Sequence, residues 1–301
     1  MIAETEIAAH LFRSPLLGTA RAVRVKAGTV RYFERGNGPV IVFAHGWLAN
    51  ANVWRKLVPL LADSHRCIAL DLPFGAHGTP LEPDADLSPP GCGALIMDVI
   101  EQLGLDDVTL VASDSGGAYS QIGVAARPER IARLVLTTGE TPHDIFPPAP
   151  FTGLRDAAKS VEFLKSALQG LRSRERRLRP EAFRLLAKHP IEDQVFDSYA
   201  LPVLEDDAIL HDIAKAMRSA SETHVKAAAE ILIARFHKPV LLAWAVEDKV
   251  FPFAHAQRYA AALPNARIEE IVDSYSLTQE DQPDRLSELI AAFIAEPPQA
   301  A

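Results

Sequence analysis

Short, continuous apolar runs recur along the chain at Val40–Ala44 (VIVFA), residues 67–70 (CIAL) and Val108–Ala112 (VTLVA). Runs of this length without alternation predict strands buried on both faces. Residues 131–136 are strand-like again, and the pattern resumes at 240–244 and 268–272. Two alternating segments, 23–25 and 30–33, flank Ala27-Gly28 and predict an opening hairpin. Between the strands, an amphipathic stretch predicts a helix over 53–61. Ser88-Pro89-Pro90 opens another, running to about Leu103, with proline in the first turn where its missing N–H costs nothing. A further helix follows Val108–Ala112 through about Ala126, and a last one spans about 284–294. Strands alternating with helices at this spacing predict an α/β chain with a mostly parallel central sheet covered on both sides.

The texture changes after Thr138. Residues 141–236 are predicted to be helical, with Pro147, Pro148 and Pro150 at the entrance. The expected organisation is therefore a core of 1–140 and 237–301 with a helical lid, 141–236, over the carboxyl edge of the sheet, where such folds bind ligands. The basic patch from Arg172 to Arg184, interrupted by Glu175 and Glu181, reads as a solvated helix face in preference to an anion site. The Pro-Pro-Gln-Ala-Ala tail reads as frayed.

Composition narrows the function classes. Apolar residues at 48% and charged residues at 23% leave no room for disorder. A net charge of −8 argues against a nucleic-acid partner, whose backbone calls for basic surface. No apolar run approaches a membrane span, and the amino terminus, MIAETEIAAHLFRSP, carries acids rather than a leader's apolar core. Two cysteines, Cys67 in a strand and Cys92 near a helix start, do not suggest a disulfide scaffold. The expectation is a cytoplasmic protein acting on a small molecule, with no cofactor and no metal. Its oligomeric state is left open.

The chemistry is concentrated at Ser113-Asp114-Ser115-Gly116-Gly117, directly after a predicted strand. A sharp strand-to-helix turn exposes a nucleophile, and small residues must flank it. Two registers fit, with Asp114 or Ser115 at the turn. The strand reaches the turn just after Ser113, and Gly-Gly then falls two and three positions past Asp114. Both counts select Asp114. Asp114 as a simple helix cap would not account for the Gly-Gly pair.

With His45-Gly46-Trp47, Asp71-Leu72-Pro73, Trp244 through Asp248 and Glu280-Asp281-Gln282-Pro283, these motifs resemble the α/β-hydrolase superfamily over nearly the whole chain. The aspartate at the elbow is similar to that of epoxide hydrolases and haloalkane dehalogenases, which form an ester on a carboxylate that a His-activated water hydrolyses. The stretches Asp84 to Gly91 and Asp273 to Ser276 resemble a bacterial subgroup, largely without assigned substrates, that typically carries Asn-Asp-Thr-Gly-Gly at the elbow. The resemblance implies Asp114 as nucleophile, the amides of Trp47 and Ser115 as oxyanion hole, and Asp248 as triad acid.

It also implies a histidine where Ser276 stands, and no histidine follows His255. A serine hydroxyl is no base near neutral pH. His45 is expected to be structural. His143 and His77 are candidates for a relocated base, while His189, His211 and His237 read as solvated. Glu140 is a possible acid partner, and Tyr199 is the one lid tyrosine available as an acid. Neither dehalogenase nor epoxide hydrolase chemistry is matched in full: Ser115 stands where dehalogenases commonly place a halide-binding tryptophan, and no asparagine follows His45-Gly46. Four readings follow: an Asp-nucleophile hydrolase of atypical base, a non-catalytic small-molecule binder, a serine esterase using Ser115, and a proton-abstracting enzyme using Asp114 as base.

Overall fold

The computed structural model describes residues 11–180 and 182–296. The leader and tail readings, and Glu181 of the basic patch, lie outside the described residues. Eight strands form one sheet: β1 (Thr19–Val25), β2 (Gly28–Arg35), β3 (Val40–Ala44), β4 (Arg66–Asp71), β5 (Val108–Ala112), β6 (Ile131–Thr137), β7 (Val240–Ala245) and β8 (Ala266–Ile271), in the order β1-β2-β4-β3-β5-β6-β7-β8. β2 runs antiparallel to both its neighbours, and every pairing from β4 to β8 is parallel. The expected α/β architecture of a mostly parallel sheet flanked by helices is present. β5 and β7 are buried at every residue, as their unbroken apolar runs require, whereas the edge strand β8 is half-buried along most of its length.

The helices of the core are α1 (Pro89–Gln102) and α2 (Ser115–Ala126), which follow β4 and β5. Ser88 caps α1 by accepting a hydrogen bond from the Gly91 amide. The helix predicted over 53–61 is broken. A 3-10 turn, Ala51–Trp54, capped by the Asn50 side chain, is followed by one turn of α-helix, Val58–Leu61, with Pro59 in its first turn. Proline fits that first turn but cannot donate to a helix continuing from the residues before it.

Between β6 and β7 no strand occurs among the described residues, and the chain carries α3 (Val161–Leu168), α4 (Asp193–Ala200), α5 (Asp207–Ser219) and α6 (Glu222–Arg235). They are joined by shorter turns and, contrary to the helical expectation, by non-helical chain at residues 178–180 and 182–192. Polar groups tie this segment to the core loops. Asn50 and Asn52 donate to the backbone oxygen and hydroxyl of Ser198 in α4, at 2.9 and 2.8 Å. Buried Asp212 in α5 accepts from the Leu81 amide at 2.9 Å. α7 (Phe253–Ala262) and α8 (Pro283–Ala295) complete the chain. α7 carries no strong signal of its own, being short and alanine-rich. Cys67 and Cys92 are both buried and free. Among the described residues no helix is long and apolar enough to cross a membrane.

Candidate active site

β5 ends at Ala112, α2 begins at Ser115, and the chain must reverse in the two residues between. Asp114 makes that reversal with φ 54° and ψ −143°. A non-glycine residue rarely adopts positive φ, and holding one there costs roughly 1–3 kcal/mol, so the surroundings must enforce it. They do so by closeness. A Cβ at Gly46 would lie 2.2 Å from Asp114 Oδ1, and one at Gly139 would lie 2.8 Å from the Asp114 backbone nitrogen and oxygen. Glycine is the residue that lets β3, β5 and β6 deliver their ends to one point. Ser115 already belongs to α2, so the strained residue at the turn is Asp114, as the strand count expects.

The Asp114 carboxylate accepts a hydrogen bond from the Ser115 amide at 2.6 Å. The Trp47 amide donates to the Ser115 hydroxyl at 2.8 Å, beside the same carboxylate. The two amides expected at the oxyanion position thus converge on Asp114 and its neighbour. Burial raises the Asp114 carboxyl above its usual pKa, while the amide and hydroxyl of Ser115 and the Trp47 amide oppose the rise.

Asp114 opens on a cavity of about 300 Å³. Its floor holds Trp47, Ser115 and Glu140, and its walls come from the helical segment, chiefly Phe151, Leu154, Leu168, Leu171, Phe183 and Leu186. Glu140 follows β6 and is 3% exposed. Its Oε2 has no hydrogen-bond partner among the described residues. Burial, then the nearby Asp114 charge, pushes its carboxyl well above the ordinary carboxylate range. A buried carboxyl with an unpaired oxygen is held as the neutral acid.

The loop expected to bear the triad behaves differently. Ser276 is buried and donates to Asp248 Oδ2 at 2.6 Å. Asp248 Oδ1 accepts from the Val250 amide at 2.7 Å and from the Phe251 amide. Burial pushes the Asp248 carboxyl up to about 6 against these three bonds. Neither Ser276 nor Asp248 lines the cavity with Asp114.

The histidines considered as a relocated base are also absent from that cavity's lining. Buried His77 accepts from the Gly75 amide, and its Nε2 meets Asp212 Oδ2 of α5 at 3.2 Å. It braces α5 rather than facing Asp114. His143, three residues beyond Glu140 in sequence, instead turns its ring to within 6.0 Å of His255, whose Nδ1 meets Asp144 at 2.7 Å. Burial and the neighbouring Arg258 and His255 depress the His143 pKa. His45 is structural in its contacts. The Leu72 amide donates to Nε2 and Nδ1 meets the Gly46 oxygen, both at 2.8 Å, and burial lowers its pKa to about 4. Tyr199 borders a gap of about 10 Å³ beside Asp114, but its hydroxyl donates to Glu280 Oε1 at 3.0 Å. Buried Arg55 pairs with the same Glu280. His189, His211 and His237 are exposed.

The basic stretch does not lie on one solvated face. Arg177 is buried, pairs with Asp197 and donates to the Leu171 oxygen at 2.6 Å, while Arg176 and Arg179 border the cavity. Helical periodicity across a broken segment carried no signal for this division. It was made by the packing of the Arg174–Arg177 turn on α4.

A sequence profile described as alpha/beta hydrolase fold matches residues 39–283. An uncharacterized hydrolase YugF of Bacillus subtilis is 27% identical over 271 residues, covering 87% of this chain and 93% of its own length. Haloalkane dehalogenase 2 of Mycobacterium tuberculosis H37Rv is 26% identical over 269 residues, with 87% and 90% coverage. Among solved structures, an alpha/beta hydrolase fold protein from Burkholderia ambifaria superposes with a TM-score of 0.74 at 21% identity, covering 90% of this chain and 97% of that one. The haloalkane dehalogenase DbeA from Bradyrhizobium elkani superposes at 0.69 and 21%, with 92% and 97% coverage. The chain belongs to the alpha/beta hydrolase fold family.

Proposed function

We propose that the protein hydrolyses a small epoxide, with Asp114 as nucleophile and Glu140 as proton carrier in place of the missing imidazole. The observation that carries this reading is the meeting of two carboxyls in one cavity, Asp114 half-buried in a strained elbow and Glu140 buried with an unpaired oxygen. Environments that push two titratable groups apart assign acid and base roles. Ionised Asp114 attacks an epoxide carbon, and the C–O bond of the ring breaks. Glu140 gives its proton to the departing oxygen, leaving a hydroxyalkyl ester on Asp114 and a carboxylate at Glu140. That carboxylate then takes a proton from water as the hydroxide adds to the ester carbonyl. The Trp47 and Ser115 amides bear the developing negative charge. Collapse releases the alkoxide, which takes the proton of the new Asp114 acid, and Glu140 is protonated as at the start.

An epoxide suits these groups better than a haloalkane. A departing halide needs N–H donors, and the Trp47 indole N–H is engaged with the Tyr119 hydroxyl at 2.9 Å. Tyr199, the candidate acid of the lid, is likewise engaged with Glu280. Likeness to proteins named haloalkane dehalogenases supports a small organic substrate and reaction at carbon. The test is turnover of 1,2-epoxyoctane in ¹⁸O-water with intact-protein mass spectrometry. Diol should form, with label entering Asp114 over repeated cycles. Neither diol nor adduct from epoxides or alkyl halides would abandon the reading.

The second reading, a non-catalytic binder of small molecules, is favoured by one contact: Ser276 satisfies Asp248 and leaves it no base to orient. Tight binding without product, unchanged by Asp114→Asn, is its signature. For the serine esterase reading, the Ser115 oxygen accepts the Trp47 amide and no imidazole bonds to it among the described residues. Labelling by an organophosphonate that is lost in Ser115→Ala and kept in Asp114→Ala would establish it.

A further inference from the structure

The arginines of residues 172–179 fall into two groups. Arg172 pairs with Glu205, Arg174 with Asp193 and Asp197, and buried Arg177 with Asp197. Arg176 and Arg179 have no carboxylate within 4 Å among the described residues, and both line the cavity that holds Asp114. Both are exposed, so they stand at its rim rather than in its depth. The walls between rim and floor are mostly apolar, with Ser166 and Gln169 among them, and the floor carries Asp114 and Glu140. An acidic protein of net charge −8 thus presents two guanidinium groups at the mouth of an apolar pocket.

From this arrangement we infer that the cavity takes an amphipathic monoanion: an aliphatic body in the pocket and a carboxylate at the rim, held by Arg176 and Arg179. The apolar body is driven into the pocket by burial of its surface. The guanidinium fork matches a carboxylate in shape and charge, and it is weakly hydrated enough to exchange water for that partner. A dianion such as a phosphate monoester suits the site less, because ionised Asp114 on the floor repels the second charge more strongly. As an extension of the proposed reaction, the substrate is an epoxy acid whose ring lies at the end away from its carboxylate. Docking at the rim then sends the ring towards Asp114. The binding claim itself requires no chemistry.

The test is calorimetric titration with octanoate, octanol and octylamine, for the native protein and for the double variant Arg176→Gln with Arg179→Gln. Octanoate should bind about tenfold more tightly than octanol, and octylamine more weakly than either, the modest ratio reflecting solvent-exposed partners. Raising the salt should narrow the gap. In the double variant the octanoate-to-octanol ratio should fall to about one, with the melting temperature showing that the fold is kept. Equal binding of octanoate and octanol by the native protein would overturn the inference, as would a preference that survives the double substitution. Asp114→Asn separates this inference from the proposed reaction. A protein without turnover that keeps its octanoate preference retains the anion site and loses the reaction. A protein that hydrolyses 1,2-epoxyoctane without octanoate preference retains the reaction and loses the anion site.

Discussion

Asp248 and Glu140 follow neighbouring strands, β7 and β6, at the same edge of the sheet, yet their surroundings differ. Asp248 is saturated by two amides and the Ser276 hydroxyl, and neither residue lines the cavity that holds Asp114. Glu140 keeps one oxygen unpaired in the pocket that Asp114 shares. A carboxyl whose oxygens are met by donors is favoured as the carboxylate and serves as a structural acceptor. One left unpaired in an apolar cavity is neutral, and its proton is available to the first suitable acceptor. In the proposed reaction the proton chemistry therefore belongs to the β6 loop rather than the β7 loop.

The largest expected effect breaks the common element. Asp114→Asn should reduce epoxide turnover on the order of 10⁴-fold or more, because the nucleophile is lost outright. Steady-state kinetics check this, and retained turnover would transfer the chemistry to Ser115 or elsewhere. Glu140→Gln strikes one side of the comparison and should cost about 10²–10⁴-fold, the usual worth of a general acid–base. It should also change the pH profile. Activity should rise with pH as Asp114 ionises above its usual range, then fall as Glu140 loses its proton at a still higher pH. Glu140→Gln should abolish the falling limb, and a falling limb that remains would assign it to another group.

Ser276→His strikes the other side. It places an imidazole beside Asp248, where the Ser276 hydroxyl now lies 2.6 Å from Oδ2. Breakdown of an ester on Asp114, followed by the decay of the mass adduct after a single turnover, should quicken about tenfold or more. No change would mean that the β7 loop does not reach the ester. The smallest effect concerns stability. The Asp248 carboxyl stands at about 6 in the folded chain, above its value of about 3.9 when unfolded. Between those values the folded state holds more of the proton, so stability falls as pH rises through roughly 4 to 6. Urea denaturation of the native protein and of Asp248→Asn at pH 4.5 and 7 should differ in this slope by about 1–2 kcal/mol. Parallel slopes would show that Asp248 titrates as an exposed carboxylate.

Much of the fold is legible along the chain. The runs at residues 40–44 and 108–112 are strands to the residue, and Ser88 caps its helix as read, because buried strands and caps are local patterns. Residues 53–61 mislead for the same reason in reverse. Their apolar spacing suits a helix, but Asn50 and Pro59 turn the chain into two short pieces. The site is legible in part. Asp114 at the turn follows from the strand and the glycines. The partners of His77 and His143 do not follow, since His77 lies 135 residues from the aspartate it meets. Nor does the division of the arginines, where residues one position apart take opposite roles.

What the sequence by itself determined is thus the set of strands and the turn that carries Asp114. Each depends on the identity of residues within a few positions of one another. What only the tertiary structure decided is which charges are answered. Asp248 is closed by Ser276, Glu140 is left open beside Asp114, and Arg176 and Arg179 are brought to the rim while Arg177 is buried. Charge satisfaction is a property of contacts between segments far apart in the chain. Burial then converts each unmet contact into a shifted proton affinity, which no local pattern records.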